Sequence, residues 1–125
     1  MALMSIDQTF LVGRVQDIAD PGSREFLVFA SAWSLRGFVV RKGESVFAYL
    51  NRCPHAGFPL NRSPDGFLGM NNQRIMCRSH GAMFEIESGI CVDGICIGQS
   101  LRKLPIHVLD GIISVKYDEL QGQWI

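Results

Sequence analysis

Two short stretches hold the residues best suited to chemistry. Cys53-Pro54-His55-Ala56-Gly57 spaces a thiol and an imidazole as Cys-x-His, and Cys77-Arg78-Ser79-His80-Gly81 spaces them as Cys-x-x-His. Twenty-one residues, 56–76, lie between His55 and Cys77. A thiolate is a soft donor and an imidazole a borderline one, so four of them in two loops can close on a metal centre. Tetrahedral zinc accepts two Cys and two His, but zinc fingers pair Cys with Cys and His with His. Here each box carries one of each. That mixture suits a two-iron cluster with chemically different irons, one held by two Cys and the other by two His. A structural zinc, or a pair of boxes that has lost its metal, are the competing readings. The boxes use two of the four cysteines and two of the three histidines, and each ends in glycine. Such a coincidence favours the cluster.

The elements that must position these donors read as short strands. Residues 10–15 form one, and the turn Asp20-Pro21-Gly22-Ser23 separates it from a second over residues 26–33. A third covers residues 38–41, and Lys42-Gly43-Glu44 turns it into a fourth over residues 45–52. From Cys53 to Met70 the pattern breaks at Pro54, Gly57, Pro59, Pro64, Gly66 and Gly69. This is a loop held by something other than its own backbone ladder. Residues 74–76 deliver Cys77, and residues 82–86 lead away from the second box. Residues 106–109 and 112–117 flank Asp110-Gly111, a two-residue loop of the kind that suits hairpin twist. The tail from Gln121 onward should be loosely held. No sustained 3.6-residue apolar period appears anywhere. Many short strands with Gly and Pro turns predict an all-β fold, an antiparallel sandwich or barrel.

Length and composition bound the rest. A chain of 125 residues is expected to be one domain, spanning residues 1–125. Twelve basic residues balance twelve acidic ones, so no global field points to nucleic acid. The first seven residues lack a cationic region followed by an apolar one, and no run approaches the ~20 apolar residues of a membrane span. A soluble, cytoplasmic protein is expected. In that compartment four cysteines favour metal binding or free thiols over disulfides.

With both boxes in view, the sequence resembles the Rieske-type 2Fe–2S proteins over about residues 10–115. The resemblance implies a Rieske-like β domain with a small cluster-binding loop subdomain, about residues 51–86. It implies that Cys53 and Cys77 bind one iron of a single 2Fe–2S cluster, and His55 and His80 the other. The cluster should sit at the tip of the domain, one edge near the surface. High-potential members carry a further cysteine in each loop, joined as a disulfide; the matching positions here are Phe58 and Ser79. They also present a serine and a tyrosine hydroxyl where this chain has Ala82 and Phe84. Donors to the cluster sulfurs stabilise its reduced, more negative state, so their loss lowers the potential. A midpoint in the lower half of the Rieske range, about −150 to +300 mV, is expected.

Other residues have quieter readings. Arg52, Arg62, Arg74 and Arg78 are solvated loop charges or a docking rim for an acidic partner, with Phe58, Pro59 and Met83 as apolar contacts. Cys91 and Cys96 should face each other across a hairpin turning on Asp93-Gly94, their Cα atoms about 4.5 Å apart, mostly as free thiols. No catalytic role is assigned to them. His107 reads as a structural or surface residue.

The resemblance therefore implies an electron carrier without a catalytic site of its own, a ferredoxin passing single electrons between a flavin reductase and an oxygenase. An oxygenase would also need a mononuclear iron held by two His and a carboxylate, and only His107 is left over. The alternatives are a small fixed subunit of a larger oxidoreductase, as in assimilatory nitrite reductases, and a redox-sensing module using Cys91 and Cys96.

Overall fold

The computed structural model describes residues 9–29, 33–55, 57–69 and 71–120. Among the described residues ten strands run in the order β1 (Thr9–Arg14), β2 (Gly22–Phe29), β3 (Ser34–Lys42), β4 (Ser45–Leu50), β5 (Leu68–Gly69), β6 (Arg74–Met76), β7 (Met83–Phe84), β8 (Cys91–Asp93), β9 (His107–Leu109) and β10 (Ile112–Lys116). Three antiparallel sheets result, ordered β1-β10-β9, β2-β3-β4 and β5-β6-β7-β8. The expected all-β antiparallel architecture is therefore found.

The β2-β3-β4 sheet is a wall between two cores. Side chains alternate across a strand, and β3 puts Phe38 and Val40 into one core and Leu35 and Val39 into the other. On β4, Tyr49 joins the first core while Ala48 and Leu50 join the second. The register sets Phe38 opposite Tyr49 and Val39 opposite Ala48, so like faces meet. A strand buried on both sides reads as a continuous apolar run. This explains why Phe38-Val39-Val40 shows no polar alternation.

The second core is closed by Phe10 and Val12 of β1, by Val15 just after it, by Ile113 and Val115 of β10, and by Leu104. The first lies under the two Cys/His boxes. It holds Phe67 stacked on Phe38 (centroids 4.1 Å apart) with Leu60, Ile75, Phe84, Ile86 and all four cysteines. The Tyr49 hydroxyl donates to the Ile86 carbonyl at 2.5 Å, which joins the wall to the segment that follows β7.

Several elements differ from expectation. The second strand begins earlier, at Gly22, and Ala30, Ser31 and Ala32 lie outside the described residues, as does the tail after Leu120. β5 lies inside what reads as pure loop, because Leu68 and Gly69 pair with Ile75 and Arg74. The final strand ends at Lys116, and Tyr117–Leu120 forms a single helical turn, α1. There His107 Nε2 meets Glu119 Oε1 at 2.7 Å, so His107 anchors a surface turn as a structural residue. The expected Cys91–Cys96 hairpin is absent. Residues 91–93 pair with β7, and the Cys91 amide donates to the Gln99 carbonyl, placing Cys91 opposite Gln99. The open edge of β7 offers Cys91–Asp93 a ladder. Gly94, with φ +100°, then turns the chain so tightly against Ala82 that a Cβ there would lie 2.9 Å from the Ala82 Cα.

Candidate metal centre

The first box follows β4 directly, and the second is the loop of the β6–β7 hairpin, where Met76 faces Met83. The two loops are near copies. In each, the Cys amide donates to the carbonyl five residues on: Cys53 to Phe58 (2.8 Å) and Cys77 to Ala82 (2.9 Å). In each, the glycine amide four residues on donates back to the Cys carbonyl: Gly57 to Cys53 (2.7 Å) and Gly81 to Cys77 (2.8 Å). Closing that turn needs a left-handed residue, and Gly57 and Gly81 have φ of +77° and +76°. The glycine after each Cys/His pair is thus part of the fold of the loop.

This repeated turn sorts the donors. Both cysteines are buried, Cys53 at 3% and Cys77 at 1% exposure, whereas His55 and His80 are exposed. The imidazoles meet edge to face with centroids 5.1 Å apart, and the Cys77 thiol lies within hydrogen-bonding reach of Cys53. Among the described residues no three His, Cys, Asp or Glu side chains converge on one ion position. The donors stand instead as two like pairs, thiols inside and imidazoles outside.

Burial pushes the Cys53 thiol up to about 12, against the pull of the His55 amide and with the neighbouring Cys77 and Cys96 thiols adding to it. A buried thiol of this kind gives up its proton readily only to a bound cation, since metal binding displaces it. Two inner thiolates and two outer neutral imidazoles fit a two-iron centre with unlike ends.

Arg78 ties the two loops together. Its amide donates to the Leu60 carbonyl at 2.8 Å, and its guanidinium donates to the Leu68 carbonyl (2.7 Å) and the Gly66 carbonyl (3.3 Å). The half-buried side chain points into the scaffold and belongs to no docking rim. Asn51, one of two buried polar residues among the described residues, braces the first loop. Its Oδ1 accepts the Leu60 amide (2.8 Å) and its Nδ2 donates to Asn61 Oδ1 (2.9 Å). Asn61 in turn donates to Glu25 on β2 and to the Ser63 carbonyl. Sequence reasoning missed Asn51 and Asn61, because an asparagine at a strand end is indistinguishable from an ordinary turn residue.

Phe58 and Ser79, the positions without an inter-loop disulfide, are both exposed, while Ala82 and Phe84 are buried beside the thiols. All four cysteines are free. Cys96 approaches the site unexpectedly: its sulfur is 4.0 Å from that of Cys53.

The family model of the Rieske [2Fe-2S] domain matches residues 8–106, which include both boxes. The chain belongs to the Rieske family. Its cofactor is accordingly a 2Fe–2S cluster. Among solved structures, a chain from the complex of reduced oxygenase and oxidised ferredoxin of carbazole 1,9a-dioxygenase is similar at a TM-score of 0.67 and 20% identity, covering 90% of this chain and 94% of that one. The carbazole 1,9a-dioxygenase ferredoxin from Nocardioides aromaticivorans IC177 matches at a TM-score of 0.65 and 21% identity, covering 87% and 97%. The terminal oxygenase of carbazole 1,9a-dioxygenase from Novosphingobium sp. KA1 matches at 0.69 and 19%, covering 86% of this Rieske chain but 29% of the oxygenase. At these identities the likeness is one of fold. No curated protein matches.

Proposed function

We propose that this Rieske protein is a one-electron carrier, a single-domain cytoplasmic ferredoxin that takes electrons from a flavin reductase and delivers them to an oxygenase. When bound, the cluster supplies reversible one-electron chemistry. Cys53 and Cys77 would hold one of its irons, and His55 and His80 the other. The observation that carries the reading is the division of exposure: thiols buried, imidazoles at the surface. An imidazole edge open to solvent is where an electron can leave for another protein, and the buried cysteines hold the other end in a dry core. Phe58, in the first loop, and Ile95 and Ile97, on either side of Cys96, are exposed and offer apolar area of the kind that enriches transient contacts. An oxygenase acceptor is in keeping with the ferredoxin–oxygenase complexes among the similar structures.

The midpoint belongs in the lower half of the Rieske range, since Ala82 and Phe84 are buried by the cluster without a hydroxyl between them. No helix among the described residues is long and apolar enough to cross a membrane.

The test is reconstitution with a flavin-dependent reductase and an oxygenase. The protein should accept one electron, be reoxidised by the oxygenase in the presence of its substrate, and act substoichiometrically. A protein that stays bound to one larger oxidoreductase at fixed stoichiometry and exchanges no electrons when free would contradict the reading.

A further inference from the structure

We propose that Cys96 is a positioning residue for the cluster's potential, its thiol donating a hydrogen bond to the sulfur of Cys53. The inference rests on the assignment of Cys53 as an iron ligand. The two sulfurs are 4.0 Å apart, and by geometry either could donate. Chemistry decides the direction. Once Cys53 binds iron it has no proton, so only Cys96 can be the donor. Cys96 is 1% exposed, so its thiol is shielded from bulk solvent. The Cys91 thiol is also within hydrogen-bonding reach of Cys96, but its own proton goes to the Asp93 carbonyl at 3.3 Å, and a neutral thiol sulfur is a weaker acceptor than a ligand thiolate. The loop is also held in place. Gly94 is pressed on Ala82, the Gln99 amide donates to the Cys96 carbonyl at 2.8 Å, and the Cys91 amide to the Gln99 carbonyl at 2.9 Å.

A thiol is a weak donor, but a ligand thiolate is a charged acceptor, which strengthens the bond. Hydrogen bonds to cluster sulfurs favour the reduced state. This chain thus lacks hydroxyls at residues 82 and 84 but retains one donor, contributed by the loop after β8.

The test uses holoprotein and two substitutions. Cys96→Ala should lower the equilibrium constant for reduction about threefold, about 28 mV at 59 mV per tenfold for one electron. Cys96→Ser keeps a donor and should hold the midpoint at or above that of the parent. In the reduced state, an exchangeable proton coupled to the cluster should be present in the parent and in Cys96→Ser and absent in Cys96→Ala. An unchanged midpoint in Cys96→Ala, equal shifts in both variants, or a Cys91–Cys96 disulfide in the holoprotein would overturn the proposal. Should Cys96→Ala fail to hold a cluster, Cys96→Ser decides alone: a midpoint below the parent overturns it. Absence of imidazole nitrogen coupling in the parent would instead overturn the ligand assignment, whatever Cys96 does.

Discussion

Replacing Arg78 with alanine should loosen the cluster loops without touching a ligand. The side chain gives two bonds to backbone carbonyls, Leu68 at 2.7 Å and Gly66 at 3.3 Å, while the bond from its own amide to Leu60 survives any substitution. Hydrogen bonds from a charged donor contribute about 1.5–3 kcal/mol each. The residue is half-buried, and water can replace part of what is lost. The longer, 3.3 Å bond is also the weaker one. About 2 kcal/mol in total is therefore expected, or roughly 8 °C in Tm for a domain of this size. Arg78→Lys should recover less than half, because an ammonium cannot span both carbonyls as a planar fork does. Arg62→Ala, an exposed change in the loop between β4 and β5, should stay within about 0.5 kcal/mol. The assay is thermal unfolding of holoprotein followed by visible absorbance of the cluster and by far-UV dichroism, together with the rate of cluster loss to a chelator. If Arg78→Ala matched Arg62→Ala in both stability and cluster loss, Arg78 would not be the tie between the loops.

Asn51→Ala strips the Leu60 amide of its buried acceptor and should cost about 2–3 kcal/mol, read by denaturant unfolding of the holoprotein. Tyr49→Phe leaves the Ile86 carbonyl without its donor and should cost about 1–3 kcal/mol. Burial, with Glu87 and Glu85 nearby, lifts the Tyr49 phenol to about 12, so the folded state keeps a proton that the unfolded chain releases near 10. That contribution is complete below pH 10 and is lost as pH rises toward 12; stability measured over this window should fall less steeply in Tyr49→Phe. Ala82→Ser and Phe84→Tyr each place a hydroxyl by the buried thiols and should raise the midpoint by on the order of 60 mV, about 1.4 kcal/mol for one electron. A redox titration showing no rise in either variant would remove the explanation given for a low potential.

Local chemistry was readable where the sequence itself carries it. The Cys/His boxes and the Asp110-Gly111 turn each state their structure in adjacent residues. The fold sets Cys53 beside Cys77 and His55 beside His80, each pair drawing one member from either box. What could not be read depends on partners far away in the chain. β8 pairs with β7 because β7 has a free edge, and nothing in Cys91-Val92-Asp93-Gly94-Ile95-Cys96 favours that over a hairpin. Arg78 looks like any loop arginine until the fold brings the Gly66 and Leu68 carbonyls within reach of its guanidinium. Cys96 stands forty-three positions from Cys53, a proximity that spacing alone does not encode.

The central claim is that one iron is held by His55 and His80 and the other by Cys53 and Cys77. Electron–nuclear double resonance of the one-electron-reduced protein, with nitrogen-15 in its three histidines, tests it most directly. Two strongly coupled nitrogens should appear, each disappearing singly when His55 or His80 is replaced and both persisting when His107 is. A reduced cluster with no coupled histidine nitrogen, or a colourless protein carrying zinc in place of iron, would contradict it.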